Sequence, residues 1–468
     1  MFAALVDPER HPVRFLWLWA ALYALLLALS LDNSYPYMGD ESYYTVSALN
    51  MQQRGDLHTP WFEGDYRFNK PILAYWAVLA GHTLFGVSMW SGRVAVLLLS
   101  IATLALTYRL AVDVTGDRNK GVLAAALLSS SYLFVSFSRI AMTDPIVTFF
   151  VTAALCLYAR MCAAPERPLP WAVAAAAACG LGLLSKGPVG LLPLGGLLLY
   201  LALARPPRAA RLARAALHPA CWAVLALVVA PWYLHVALER PEDFLADMHR
   251  ERAVLRLGFW PIAVLKRLAF YVGNLLGTYL PFSVAVLVVA LRRRPSRETL
   301  RSLPACFALF TVAVFTVGVQ MHKARYLLPA IPALSVVFAE VLMGERWRRW
   351  LGVAAAVCVL QGAAFAAYPF VSHEELRSLV RHWEQVGSGS LGFDLDMQNT
   401  GWGRLYAGDR NLAAPAAARF VIVASRDLAR YVGWRTLRTE SRVIGVRWAG
   451  GAPQADRRTL HLLERAGR

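Results

Sequence analysis

Charged residues are scarce in this chain, at 17% of its 468 residues, whereas 57% are hydrophobic. That much apolar surface exceeds what one soluble core can bury, so a water-soluble globular protein is excluded. Acidic residues are scarcer than basic ones, 30 against 48, which leaves a net charge of +18. Lysine is rarer again: only five of the 48 basic residues are lysine, and arginine is the default base. The six cysteines (Cys156, Cys162, Cys179, Cys221, Cys306 and Cys358) lie within or at the ends of apolar runs, without CxxC spacing. That pattern offers neither a disulfide framework nor a zinc site. Internal repeats are lacking, as are low-complexity linkers beyond the Ala-rich runs.

Apolar runs of roughly 18 to 25 residues are what the chain has in abundance, and that length crosses about 30 Å of hydrocarbon as helix. Eleven spans are expected, at approximately 14–31, 88–112, 121–138, 145–161, 169–185, 187–204, 219–236, 268–291, 303–320, 326–343 and 350–370. The first follows Arg10 and Arg14 as a signal sequence would, but it is long for one and more spans follow, so an uncleaved first helix is expected. A net positive charge can mark a nucleic-acid binder. Here its distribution points elsewhere, with Arg205, Arg208, Arg211 and Arg214, then Arg292, Arg293, Arg294, Arg297 and Arg301, then Arg346, Arg348 and Arg349, in short stretches between apolar runs. Such clusters are cytoplasmic anchors under the positive-inside rule. With the N-terminus inside, all three clusters fall in cytoplasmic loops, together with Arg109, Arg118 and Lys120. An odd number of spans then exports the C-terminal segment.

Two long segments interrupt the pattern on the outer side, 32–87 and 239–267. In the first, Tyr44, Ala48 and Met51 recur at i, i+4 and i+7 within 41–54, the period of a helix lying in the interface with its apolar face toward lipid. The second is rich in both charge signs and in aromatics, and reads as a loop. The tail, 372–468, is charged throughout, with β-rich runs at 419–424 and 442–448 and a helical stretch at 426–432. The fold class expected is therefore an α-helical polytopic membrane protein, residues 1–371, followed by a small extracytoplasmic α/β domain, residues 372–468.

Ionisable residues at the ends of apolar spans are costly unless they face a cavity or a partner. Asp40, Glu41, Lys70, Arg139, Asp144, Lys186, His249, Lys323 and Arg325 all map to the outer side, although the topology rests on other residues. Their convergence on one face suggests one site, and three of the five lysines are among them. Each also has a structural alternative. Asp40 and Glu41 suit the start of a helix, whose dipole favours acids there. Asp144, before Pro145, suits a helix cap. Lys186 before Gly187 suits a turn with a snorkelling side chain, His249 a solvated histidine, and Lys323 and Arg325 interfacial anchors.

Taken in order, Asp40-Glu41-Ser42-Tyr43-Tyr44, Phe68-Asn69-Lys70-Pro71 with Tyr75-Trp76, Thr143-Asp144-Pro145, Leu184-Ser185-Lys186-Gly187-Pro188, Pro231-Trp232-Tyr233 and Tyr326-Leu327-Leu328-Pro329 with Pro332 resemble the signatures of one superfamily. It comprises the polyprenyl-phosphate-dependent glycosyltransferases of GT-C type, among them the aminoarabinose lipid A transferases and the protein O-mannosyltransferases. The resemblance spans 1–370. It implies Asp40 as the catalytic carboxylate, with Glu41 and Asp144 as further candidate acids. It also implies Lys70 and Tyr326 beside the lipid phosphate; Tyr43, next to the acidic pair, and the outer-side residues Arg139, Lys186, His249, Lys323 and Arg325 are the further candidate donor-binding residues. The implied partners are a polyprenyl-phosphate-linked sugar, membrane lipids and a glycolipid, polysaccharide or protein acceptor, and not nucleic acid. The implied setting is the plasma membrane, with the site facing the periplasm, as in lipopolysaccharide modification at the cell envelope. Aminoarabinose transferases carry Arg where Tyr43 stands, an acid where Asn69 stands, and usually Pro where Ile72 stands. A divalent metal is the one cofactor left open, and the change at Asn69 removes a ligand for it.

Two other classes share parts of this pattern. A transporter of lipid-linked sugars would favour polar residues at span midpoints and paired halves with broken helices, and no such symmetry is found; a noncatalytic lipid-binding protein would retain the fold without the chemistry. The topology is open to a direct check. A reporter that works only outside the cytoplasm is expected to be active when fused after Arg468, and activity of a cytoplasm-only reporter at that point would overturn the assignment of sides.

Overall fold

The computed structural model describes residues 7–31, 40–62, 64–254, 261–319, 322–344, 347–367, 374–386, 389–395, 403–408, 411–441 and 459–465. Apolar runs become helices because lipid offers the backbone no other hydrogen-bond partner. Among the described residues, six helices are long and apolar enough to cross a bilayer: Met89–Thr115, Thr143–Ala163, Pro168–Ala204, Ala209–Glu239, Ala324–Leu342 and Trp347–Ala366. Shorter apolar helices cover Pro12–Ala28, Leu73–Phe85 and Leu303–Gly318. The protein is a multi-pass membrane protein.

Each of the eleven expected runs is helical over most of its length, but several are not single uninterrupted spans. The run at 268–291 is two helices, Pro261–Thr278 and Phe282–Arg292, meeting at 104°, next to Pro281, which has no N–H for a continuing helix. The run at 121–138 breaks at Ser131, where the Leu133 amide donates to Thr278 Oγ1 at 2.7 Å instead of continuing the ladder. The segment 239–267, expected as a loop, is largely helix. Pro241 opens the Pro241–Val254 helix with Glu242 and Asp243 in its first turn, which suits both the proline and the dipole.

The chain forms two compact units, each discontinuous in sequence. The first comprises Met1–Ala28, Tyr66–Ala74 and Val96–Ala363. Its helices are joined by buried polar bonds: Trp19 Nε1 donates to Ser129 Oγ at 2.8 Å, Tyr23 to Ser138 Oγ at 2.8 Å, and Tyr279 to the Ile331 carbonyl at 2.6 Å. Glycine allows helices to approach closely, since a Cβ on Gly196 would lie 2.8 Å from Phe307 Cα. All six cysteines are free thiols, in keeping with their spacing.

The second unit comprises Leu29–Asp65, Tyr75–Ala95 and Ala364–Arg468. Its sheet runs in the order Leu391–Asp394, Phe420–Ala424, Thr459–Glu464, Arg435–Ser441, with the first pair parallel and the others antiparallel. The Glu374–Val386 helix turns Leu376, Leu379, Val380 and Trp383 into the same core as Phe420 and Leu462, spacings that make one face of a helix. Of the expected strands, 419–424 is found as Phe420–Ala424, whereas 442–448 lies outside the described residues. The stretch 426–432 is 3₁₀ rather than α-helix, as part of Ser425–Tyr431.

The helix expected at 41–54 is present as Asp40–Arg54, but its apolar face does not meet lipid. Tyr44, Ala48 and Met51 are buried, Tyr44 against Tyr75, while Val46 enters the core shared with Leu376 and Phe420. Period alone cannot tell lipid from protein as the covering surface. At the start of this helix Glu41 is fully buried in a two-pronged ion pair: Arg93 Nε to Oε1 and Nη2 to Oε2, both at 2.6 Å. Arg93 Nη1 donates to the Leu31 carbonyl at 2.6 Å. Removing one member strands the other charge, so Arg93→Ala is expected to lower stability by about 3–5 kcal/mol, whereas the double replacement Glu41→Leu/Arg93→Leu is expected to restore most of it. Thermal unfolding in detergent measures both, and a silent Arg93→Ala would contradict the buried pair.

Candidate active site

Thr143–Ala163 begins with Met142 at its cap position, and Asp144 in its first turn is 2% exposed. The Asp144 carboxylate does not cap this helix. Its Oδ1 accepts from the Lys186 ammonium, and its Oδ2 lies 3.9 Å from Arg325 Nε. Lys186 ends the Pro168–Lys186 helix, where Gly187 takes φ +59°, a conformation that suits glycine. The chain then folds so closely on itself that a Cβ on Gly190 would lie 2.3 Å from the Leu183 nitrogen. That turn points Lys186 toward Asp144. Arg325 lies in the 3₁₀ segment Ala324–Ala330, and the next residue, Tyr326, places its ring 5.0 Å from Lys186 Nζ. Tyr326 itself stacks on Phe315. Thus Asp144, Lys186, Arg325 and Tyr326, four residues singled out from sequence, are brought together by three separate turns.

Lys70 lies within electrostatic reach of Lys186. Its own backbone is held by a residue that sequence reading missed. Asp247, 5% exposed on the Pro241–Val254 helix, accepts from the Phe68 amide at 2.7 Å and the Asn69 amide at 3.1 Å through Oδ2. Its Oδ1 pairs with Arg250 at 3.2 Å. Its signal in the sequence is an acid among aromatics in a polar stretch, less distinctive there than the neighbouring His249. His249 is exposed on that helix.

Arg139 is buried in the turn before Thr143–Ala163, and Lys323 is half-buried at the cap of the 3₁₀ segment. In the second unit, Tyr43 packs edge-on against Phe62 at 4.9 Å, beside the hydrophobic core. Glu41 is committed to Arg93. Asp40, first residue of its helix, is half-buried. Arg93 lay hidden to sequence reading inside an expected span.

Among the described residues no three His, Cys, Asp or Glu side chains gather to hold a metal ion. Asn69 Oδ1 is a buried amide oxygen without a hydrogen-bond partner among the described residues, and both Asp247 oxygens are engaged.

Compared with known proteins, residues 13–242 match the family model described as dolichyl-phosphate-mannose-protein mannosyltransferase. In structure, the chain resembles ArnT from Cupriavidus metallidurans bound to undecaprenyl phosphate, with a TM-score of 0.72 at 17% identity, covering 95% of this chain and 97% of that one. The chain has the GT-C fold. The archaeal oligosaccharyltransferase AglB from Archaeoglobus fulgidus, solved with an inhibitory peptide and a dolichol-phosphate, shares this fold at a TM-score of 0.53 and 14% identity, over 88% of this chain and 70% of that one. In sequence, the undecaprenyl phosphate-alpha-4-amino-4-deoxy-L-arabinose arabinosyl transferase of Pectobacterium atrosepticum is 31% identical over 169 residues, 36% of this chain and 30% of that protein. An uncharacterized protein of Aquifex aeolicus is 33% identical over 228 residues, 48% of this chain and 44% of its own. The chain therefore spans less than half the length of these two relatives. The superfamily resemblance carried by the ordered motifs thus agrees with the fold.

Because Asp247 is a charged acceptor for two backbone amides, its loss is expected to cost about 1.5–3 kcal/mol at that point. Asp247→Ala should speed hydrogen exchange at the Phe68 and Asn69 amides and leave the exchange of the Phe420–Ala424 strand unchanged. Unaltered exchange at 68 and 69 would show that Asp247 does not hold this backbone.

Proposed function

We propose that the protein transfers a sugar, a hexose or a pentose, from a polyprenyl-phosphate donor to an acceptor on the extracytoplasmic face of the plasma membrane. The observation that carries this reading is the cationic group around Asp144. Lys186 and Arg325 stand against one buried carboxylate, and Lys70 lies within electrostatic reach of Lys186. A polyprenyl phosphate keeps its isoprenoid in lipid and its sugar outside, so its enzyme needs cations at the membrane surface. The arginine fork and the compact ammoniums suit a phosphate whose charge grows as the sugar leaves. The Tyr326 hydroxyl is a further donor to it. The likeness to ArnT, which was solved with undecaprenyl phosphate, supports the donor class.

In this reading Asp144 serves as the counter-ion that orients Lys186 and Arg325, and Glu41 serves the fold. Asp40, matching the family's catalytic acid and half-exposed where Glu41 is sealed, takes the proton from the acceptor hydroxyl as it attacks C1. One base and one direct displacement invert the anomeric carbon. The acceptor is a glycolipid, a polysaccharide or a protein.

Purified membranes supplied with a panel of polyprenyl-phosphate sugars test both roles. Asp40→Asn is expected to keep donor binding while transfer falls roughly 10² to 10⁴-fold. Lys70→Ala is expected to weaken donor binding and transfer together, by on the order of 2–4 kcal/mol. Transfer retained in Asp40→Asn would remove the assigned base, and unchanged donor affinity in Lys70→Ala would reduce that lysine to an interfacial anchor.

A further inference from the structure

Three arginines close one end of the four-stranded sheet. Arg419 precedes Phe420–Ala424, Arg435 opens Arg435–Ser441, and Arg465 follows Thr459–Glu464. The register makes this one edge: Phe420 and Arg435 both lie opposite Glu464 on the strand between them. Since neighbouring strands run about 4.8 Å apart, the three guanidinium groups are rooted within roughly 10 Å of one another across the sheet. They line a cleft of about 1260 Å³ together with Ser390, Trp434 and Glu464. Glu464 is the acid in that lining, and Arg419 already bonds it at 2.9 Å. Arg465 lies over the Trp434 ring, 5.1 Å from its centroid, with Nη2 donating to the Ala416 carbonyl at 2.7 Å. Arg435 is exposed and makes no ion pair among the described residues.

The hydrophobic core of this unit includes none of the three arginines, and the transfer reading gives them no task. Like charges gathered at a strand edge repel, and nothing in the core of the domain requires them. Planar guanidinium forks match phosphate and carboxylate groups, and the half-buried Trp434 adds an aromatic ring to the lining, as saccharide sites use. A bilayer surface is met by a basic patch that can lie flat against it, whereas here the three arginines line a cleft. We infer that the cleft binds an anionic glycan, a saccharide bearing phosphate or carboxylate groups. The inference concerns binding alone and stands apart from the glycosyl-transfer reading.

The full chain in phosphatidylcholine nanodiscs, titrated at low salt with phosphomannan, alginate and neutral dextran, tests it. Phosphomannan and alginate should bind and dextran should not. Arg435→Gln should weaken that binding about tenfold, the loss of one charge-assisted contact, with the thermal midpoint unchanged because Arg435 is exposed. Arg293→Gln, in a basic cluster elsewhere in the chain, should leave it unaltered and so controls for general attraction by a chain of charge +18. Phosphatidylcholine vesicles carrying a phosphorylated glycolipid add the membrane-borne source, and Arg435-dependent capture of these alone assigns the cleft to a glycolipid headgroup. Equal binding of dextran, equal loss in Arg293→Gln, no loss in Arg435→Gln, or Arg435-dependent capture of plain phosphatidylglycerol vesicles would each overturn the inference.

Discussion

A carboxylate sealed among apolar helices is affordable only if cations come with it, and Asp144 obtains them from two distant turns. Lys186 ends one helix and Arg325 begins a 3₁₀ segment, yet both reach the first turn of Thr143–Ala163. Charge taken out of water costs several kcal/mol per ion unless it is paired and well placed. This constraint ties three helix ends to one point. The left-handed backbone at Gly187 and the close fold of Gly190 onto the preceding helix are the local means by which Lys186 arrives there.

The carboxylates divide into distinct tasks by burial and partner. Glu41 is sealed against Arg93, Asp247 holds the backbone just ahead of Lys70, and Asp144 holds two cations. In each the negative charge meets fixed donors, and so sets the position of the groups around it.

The helix that starts at Asp40 is also anchored by packing. Val46 and the neighbouring Phe62 and Met89 share one core with the C-terminal helix and sheet, so sequence positions more than three hundred residues apart stabilise the same element. That sharing gives the helix a protein neighbour where its period alone suggested lipid. At one end of this sheet, Arg419, Arg435 and Arg465 line one cleft outside that core.

By itself the sequence determined the class of molecule, because runs of apolar residues long enough to span lipid have few other ways to satisfy their backbones. It also determined most of the polar residues of interest, since an isolated Asp, Lys or Arg beside such a run stands out against its surroundings. Asp144, Lys186 and Arg325 were legible in this way, and Tyr326 through the Tyr-Leu-Leu-Pro motif. What only the tertiary structure decided was partnership. Arg93 looked like one polar residue inside a span until Glu41 was found against it, and Asp247 looked like one charge among many until it met the Phe68 and Asn69 amides. The strands Arg435–Ser441 and Thr459–Glu464 and the bend before Phe282 were likewise unreadable as placed elements. Local pattern reports burial and period, whereas an ion pair, a buried acceptor or a strand register depends on residues far along the chain, and only folding brings those together.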